Sequence, residues 1–418
     1  EEVNVDREKK IYVFADFEPY DNELIGTIYV SQTRGKEFYS FEYCQKWLDM
    51  GNIILDPDLQ LYKGRQYITD DKKIFGIFAD SCPDRWGRRL MKRREELRAK
   101  RNDEKPKKLV ERDFLLGVYD EARMGGLRFK TDIDGEFLSN DAEFATPPWT
   151  SLRELEQASI AFESDENGLN EKWLKQLLAP GSSLGGARPK ASVKAPDGSL
   201  WIAKFPSKHD DFDSGAWEMT VHDLAGMCGL NVPIAKVQKF SRLGTTFLVK
   251  RFDRDVNRRI HFSSAMTMLG KNDGANATDG SSYLEIASFL KANGAEPRRD
   301  LQELWKRIVF NMAVSNTDDH FRNHGFILKN TGWELSPLYD VNPDIYGEYL
   351  SLNVDDSDSS IDFDLAVDAA HYYGIEKTAA AEIVDNVKCI VMENWQETAK
   401  KYGISRGEIE RMRPAFNA

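Results

Sequence analysis

The sequence predicts an α+β fold in two lobes: a β-rich amino-terminal lobe that carries an extra leading subdomain, and a helical carboxyl-terminal lobe. Two observations lead there. Residues 190 to 254 read as strand pairs around turn chemistry, and after about residue 255 the apolar residues take on helical spacing. A chain of 418 residues with 41% hydrophobic residues is long enough for two or three packed units rather than one core. The expected divisions are residues 1–148, 149–254 and 255–418, with the Thr146-Pro147-Pro148 segment as the first linker.

From Ile11 to about Asp141, short strand-like runs accompany one expected helix, Glu111 to Asp120, which a Gly125-Gly126 turn separates from a strand at Leu127 to Lys130. The basic run from Arg85 to Lys108 includes Arg88, Arg89, Lys92, Arg93, Arg94 and Arg98. It reads as a solvated helix face, or else as a contact with a partner or a DNA backbone within a complex. Further on, residues 192–195 and 200–205 flank the turn Pro196-Asp197-Gly198-Ser199, and residues 237–240 and 245–252 flank Ser241-Arg242-Leu243-Gly244. Between these hairpins a helix is expected over Ala216 to Cys228. Leu301, Leu304, Trp305, Ile308, Val309 and Met312 then fall on one helical face and read as core.

A formal net charge of −12 opposes broad contact with a polyphosphate, since such contact needs an excess of Lys and Arg. Cys44, Cys82, Cys228 and Cys389 are far apart, form no C-x-x-C, and follow an opening without an apolar leader core, so reduced thiols in the cytoplasm are expected. No apolar stretch approaches the roughly 20 residues of a membrane-spanning helix. The short acid and serine run from Asp355 to Ser360 reads as a solvated loop.

Phosphoryl transfer asks for flexible backbone over phosphates, a cation on them, oxygen ligands for magnesium and a carboxylate to receive the hydroxyl proton. The chain offers candidates for each, in order. In Gly181-Ser182-Ser183-Leu184-Gly185-Gly186-Ala187 the glycines let backbone N–H groups approach phosphate oxygens, although alone the run also reads as a plain turn. Lys204 lies in a strand, with Glu218 on the following helix as its natural partner; an edge-strand surface lysine is the alternative. Asp318 and Asn323 reproduce the D-x-x-x-x-N spacing of a kinase catalytic loop, and Asp340 follows a hairpin that turns at Lys329-Asn330-Thr331-Gly332. The full order of helix, D-x-x-x-x-N, strand, turn, strand and Asp, downstream of a Gly-rich loop and a strand lysine, predicts a protein-kinase-like fold using ATP and Mg2+. His320 and His324 stand four apart without the glutamate of H-E-x-x-H, so they are expected to brace the loop rather than hold zinc.

The chain resembles the HipA family of bacterial serine/threonine kinases, toxins of type II toxin–antitoxin modules. The resemblance rests on residues 183–190, Lys250-Arg251-Phe252-Asp253-Arg254, Asn316-Thr317-Asp318-Asp319-His320 and Leu338-Tyr339-Asp340-Val341, in family order. Pro83 to Leu90 and Gly125 to Phe129 look like the family's amino-terminal domain. The resemblance implies Asp318 as catalytic base, Asn323 and Asp340 as magnesium ligands and Lys204 as phosphate clamp. It also implies a hinge over Val249 to Asp253 beside adenine, with Lys250, Phe252, Asp253 and His320 among the cofactor-binding residues, and Ser183 as an autophosphorylated serine. The implied partners are a protein substrate with Ser or Thr and a HipB-like helix-turn-helix antitoxin, with DNA reached only through that complex. A small-molecule phosphotransferase using Asp355 to Asp358, or a catalytically silent ATP-binding co-repressor, stands as the alternative.

Overall fold

The computed structural model describes residues 8–33, 36–50, 53–69, 71–164, 174, 177, 186–255 and 258–416. By internal contacts the chain forms two compact units, one of residues 1–200 with 253–263 and the other of residues 201–252 with 264–418. The architecture is α+β.

In the first unit, β1 (Lys9–Ala15), β2 (Glu23–Thr33), β3 (Lys36–Tyr43), β4 (Gln66–Tyr67) and β5 (Leu127–Lys130) form an antiparallel sheet in the order β4-β3-β2-β1-β5. Ile11, Val13, Ile28, Phe41 and Phe129 are buried, while intervening residues such as Tyr12 and Thr27 are partly exposed, as a two-residue period requires of a sheet with one face covered. The longest helix here, α1 (Arg85–Arg101), occupies the basic run. Asp84 caps it by accepting from Gly87 N at 2.9 Å, and Trp86, Leu90 and Met91 are buried. Two of its cations are matched locally by carboxylates: Arg88 forms a two-pronged pair with Glu111, and Arg98 binds Glu95 and Glu104. Helix α2 (Glu111–Leu116) stops four residues short of the expected Asp120. It ends at Gly117, where a Cβ would sit 2.2 Å from Met91 Cε. Arg123 is fully buried and donates to the carbonyls of Ser81, Leu115, Val118 and Leu138, tying the end of α2 to the segments at Ser81 and Leu138. Helix α3 (Leu152–Glu163) and β6 (Lys190–Lys194) complete the unit, with Trp86 Nε1 donating to Lys190 O at 2.9 Å.

The second unit begins at Trp201 within β7 (Leu200–Lys204), followed by α4 (Ser214–Met227), β8 (Ala235–Gln238) and β9 (Thr246–Lys250). Strand β9 pairs antiparallel with both others: Lys204 faces Phe247, and so does Val237. Asp213 caps α4 and also accepts from Thr245 N and Oγ1. The turn of α4 at Gly215 runs so close to Thr245 O that a Cβ would lie 2.0 Å away, a contact only glycine permits. The remainder is mainly helical: α5 (Tyr283–Asn293), α6 (Pro297–Val314), α7 (Phe363–Ala369), α8 (Lys377–Lys401) and α9 (Arg406–Met412). The expected stripe on α6, Leu301 to Met312, is buried in one core with Tyr283, Val387, Val391 and Trp395. Strands β10 (Gly325–Lys329) and β11 (Gly332–Leu335) form the hairpin that leads to Asp340. Among the described residues no helix is long and apolar enough to cross a membrane.

Candidate active site

Every residue of β7 is buried, so Lys204 enters the interior of the second unit and is no surface lysine. Its Nζ lies 2.6 Å from Glu218 Oε1 on α4 and 2.8 Å from Asp340 Oδ1, and 5.9 Å from the centre of the Phe247 ring. Burial alone would lower the pKa of this ammonium, but the carboxylates of Asp340 and Glu218 outweigh it and hold the pKa above the ordinary lysine value. One cation therefore holds two carboxylates from segments far apart in sequence.

Asp340 adopts a left-handed backbone conformation with φ +58°, which costs a non-glycine residue roughly 1–2 kcal/mol. Such strain persists only where surrounding contacts impose it, and it concentrates at functional sites. Next to it, Tyr339 Oη donates to Arg322 O at 2.8 Å, while its ring stands 5.8 Å from that of Phe252. Asn342 N donates to Asn316 Oδ1 at 3.3 Å. These bonds join the segment around Asp340 to the loop that carries Asp318.

That loop starts where Ser315, also left-handed with φ +49°, ends α6. Asp319 points inward and is fully buried, accepting from Tyr283 Oη at 2.8 Å and Asn311 Nδ2 at 2.7 Å, with His324 Nε2 at 2.8 Å. Burial pushes its pKa up, yet His324 and Tyr283 prevail and keep it below the usual aspartate value. The anchored Asp319 leaves its neighbour on the opposite side: the Asp318 side chain is 88% exposed, with His320 Nε2 3.8 Å from its Oδ1. Asn323 is buried, and its Nδ2 donates to Asp318 O at 2.8 Å, a bond that does not use the amide oxygen. His324 thus braces the loop.

The structure brings Lys204, Glu218 and Asp340 into one contact set and holds Asp318 and Asn323 on one braced loop. Lys250 lies in β9 opposite Trp201. Asp253 belongs to the first unit, where its buried carboxylate accepts from Gly125 N at 2.8 Å and Arg254 Nη1 at 2.6 Å. Gly186 is exposed in the first unit, and its carbonyl accepts from Lys190 Nζ at 2.9 Å. Ser182, Ser183, Leu184 and Gly185 lie outside the described residues. Asp319, Asn311, Asn316 and Tyr283 support the loop without being expected as site residues; the motif Asn316 to His320 pointed to Asn316 and Asp319, whereas nothing in the local sequence points to Asn311 or Tyr283.

Hard oxygen donors suit magnesium, which takes one or two protein ligands and completes its shell with water and phosphate. The Asp340 carboxylate and the Asn323 amide oxygen are such donors. Among the described residues no group of three or more His, Cys, Asp or Glu side chains could hold a metal ion, so the donor set does not resemble an all-protein metal cage.

The profile of the HipA-like C-terminal domain matches residues 182–395, and that of the HipA N-terminal domain matches residues 20–105. A Sinorhizobium fredii protein named "Putative kinase Y4mE" is 29% identical over 182 residues, which span 38% of this chain and 41% of that protein. A Haemophilus influenzae protein named "Putative kinase" is 33% identical over 101 residues, 22% of this chain and 29% of that protein. Each match spans less than half of the relative's length. The chain is also similar in fold to HipA of Shewanella oneidensis MR-1, solved with HipB and operator DNA, with a TM-score of 0.64 and 17% identity over 96% of this chain and 94% of that one.

Proposed function

We propose that this chain, which belongs to the HipA family, is an ATP- and magnesium-dependent kinase that phosphorylates serine or threonine hydroxyls of a protein substrate. The observation that carries the reading is Lys204, buried and shared between Glu218 and Asp340, in the same unit as an exposed Asp318 on a braced loop. Phosphoryl transfer demands positioning and charge stabilisation more than covalent help from the protein. Lys204, directed by Glu218, is the cation for the phosphates. Asp340 and Asn323 would hold magnesium through their oxygens, and the ion would supply positive charge against the phosphates. Asp318, exposed on that loop, would accept the proton of the attacking hydroxyl.

The family, together with the HipA–HipB–operator assembly of the structural neighbour, supports a toxin role in which a small helix-turn-helix protein carries this acidic chain to DNA. Ser183 belongs to the same reading as a self-limiting switch, because a phosphoryl group there would take up the space and N–H donors meant for ATP. Mass spectrometry of protein from active cells would show phospho-Ser183; an unmodified Ser183 together with full activity in Ser183→Asp would remove the switch. The kinase reading is tested with Asp318→Asn. Mg-ATP binding should survive while labelled phosphate transfer to lysate proteins falls by roughly 10²-fold or more. Undiminished transfer would overturn the assignment.

A further inference from the structure

Glu218 reaches Lys204 from α4, so whatever sets the position of that helix sets the 2.6 Å contact between them. The neighbouring residue, Trp217, is buried, and its Nε1 donates to Glu408 Oε1 of α9 at 2.9 Å. The same oxygen accepts from the backbone N of Asp213, the cap of α4, at 2.8 Å. One carboxylate from 191 residues further along the chain thus binds both the start of α4 and a side chain one turn later. Glu408 is itself set by Ser405, the cap of α9, whose Oγ accepts from Glu408 N at 3.3 Å. Toward the other end of α4, Asp223 Oδ2 accepts from Tyr402 Oη and, at 2.9 Å, from Lys401 Nζ.

Successive residues of a helix are turned by about 100°, so Trp217 and Asp223 leave α4 on either side of the face that carries Glu218. The residues from Lys401 to Glu408 therefore grip the helix at two places without occupying the face that meets Lys204. Apolar burial is non-directional, whereas hydrogen bonds weaken steeply when bent or stretched. The bonds at Glu408 and Asp223 add a definite rotation and height to the apolar contact between α4 and the rest of the core.

We infer that Glu408 is a positioning residue for the Lys204–Glu218 pair: by holding Trp217 and the start of α4, the carboxyl-terminal segment keeps Glu218 on Lys204 and so directs the ammonium that meets the phosphates. Glu408 acts through Trp217 and the helix start, not by contact with the reacting groups. The inference rests on the kinase reading for the consequence at the phosphates, but the effect on the pair itself can be read without nucleotide.

The experiment compares the full native chain with Glu408→Ala, Glu408→Gln and Val391→Ala; the last opens the core on α8 and lowers stability with the clamp intact. Trp217→Phe, which keeps a ring and removes the donor, replaces Glu408→Ala if that chain does not fold. Carbodiimide treatment without nucleotide joins carboxylates to amines in contact with them, and peptide mass spectrometry measures the amide between Lys204 and Glu218. Calorimetry with Mg-ATP gives affinity and stoichiometry separately, so a partly unfolded sample shows in the second and not in the first. Glu408→Ala should yield about threefold less of the amide and bind Mg-ATP about fivefold more weakly at unchanged stoichiometry. Glu408→Gln should match the native chain in both, because its amide oxygen can accept the same two bonds. Val391→Ala should melt earlier yet keep the native amide yield and affinity. An undiminished amide in Glu408→Ala, an equal loss in Val391→Ala, failure of Glu408→Gln to restore the pair, or no amide in the native chain would each overturn the inference. A Glu408-dependent amide in a native chain that does not bind Mg-ATP keeps the positioning role and removes the kinase reading. Native Mg-ATP binding that Glu408→Ala leaves unchanged does the reverse.

Discussion

Lys204 shows how a single side chain holds the candidate site together. Its ammonium compensates two carboxylates, and without it Glu218 and Asp340 would face each other in a region where Glu218 is buried. Lys204→Met should therefore destabilise the chain by about 3 kcal/mol, because breaking a buried ion pair leaves an uncompensated charge behind. The loss should depend on pH in a defined direction. With the cation gone, the folded state raises the pKa of one carboxylate above its unfolded value, so the deficit shrinks as pH falls and that group takes a proton. Urea unfolding at pH 5 and pH 8 checks this: a deficit that is larger at pH 5 would show that the two carboxylates do not depend on Lys204. Lys204 could be named from the sequence because a strand lysine followed by a helix glutamate is a short-range pattern. Its burial could not, since the second carboxylate arrives from 136 residues away.

At the scale of elements, the same division between local pattern and distant contact recurs. The D-x-x-x-x-N loop and the hairpin before Asp340 were legible because both are short-range spacings. Which of the adjacent Asp318 and Asp319 faces solvent was not, because the choice is made by Tyr283 on α5 and Asn311 on α6. Asp319→Ala should leave those two donors and His324 without their acceptor and cost about 3 kcal/mol. Phosphate transfer should fall along with it, although Asp319 itself is buried away from any reactant. Wild-type transfer in that variant would mean that Asp318 needs no bracing. The early end of α2 has a similar origin. The helical pattern runs on past Leu116, but Gly117 caps the helix there, and Met91 of α1 fills the space that a larger residue's Cβ would take. Gly117→Ala should lower thermal stability by the equivalent of about 1–3 kcal/mol through overlap with Met91 and the Asp113 carbonyl; an unchanged or higher melting temperature would remove steric exclusion as the reason that glycine stands there.

At the scale of the whole molecule, two buried groups of the first unit contribute to the response to acid in opposite directions. His261 is stacked on Phe17 at 4.8 Å, and burial lowers its pKa to about 3. Below about pH 6.5 the unfolded chain gains a proton there that the folded chain refuses, so stability falls as pH drops. Asp56 is fully buried, accepting from Ile77 N and Asp58 N, and burial raises its pKa to about 6. Between about pH 6 and pH 4 the folded state holds a proton that the unfolded chain releases, so stability rises as pH drops. From pH 7 to pH 5 the first effect is worth about 2 kcal/mol of loss and the second about 1 kcal/mol of gain, so the two partly cancel. His261→Phe keeps a ring against Phe17 and removes the titrating group. Its stability relative to the native chain should therefore improve by about 2 kcal/mol on going from pH 7 to pH 5, read as the shift in urea midpoint at the two pH values. Parallel pH profiles for the variant and the native chain would show that His261 takes up its proton in the folded state at its ordinary pKa.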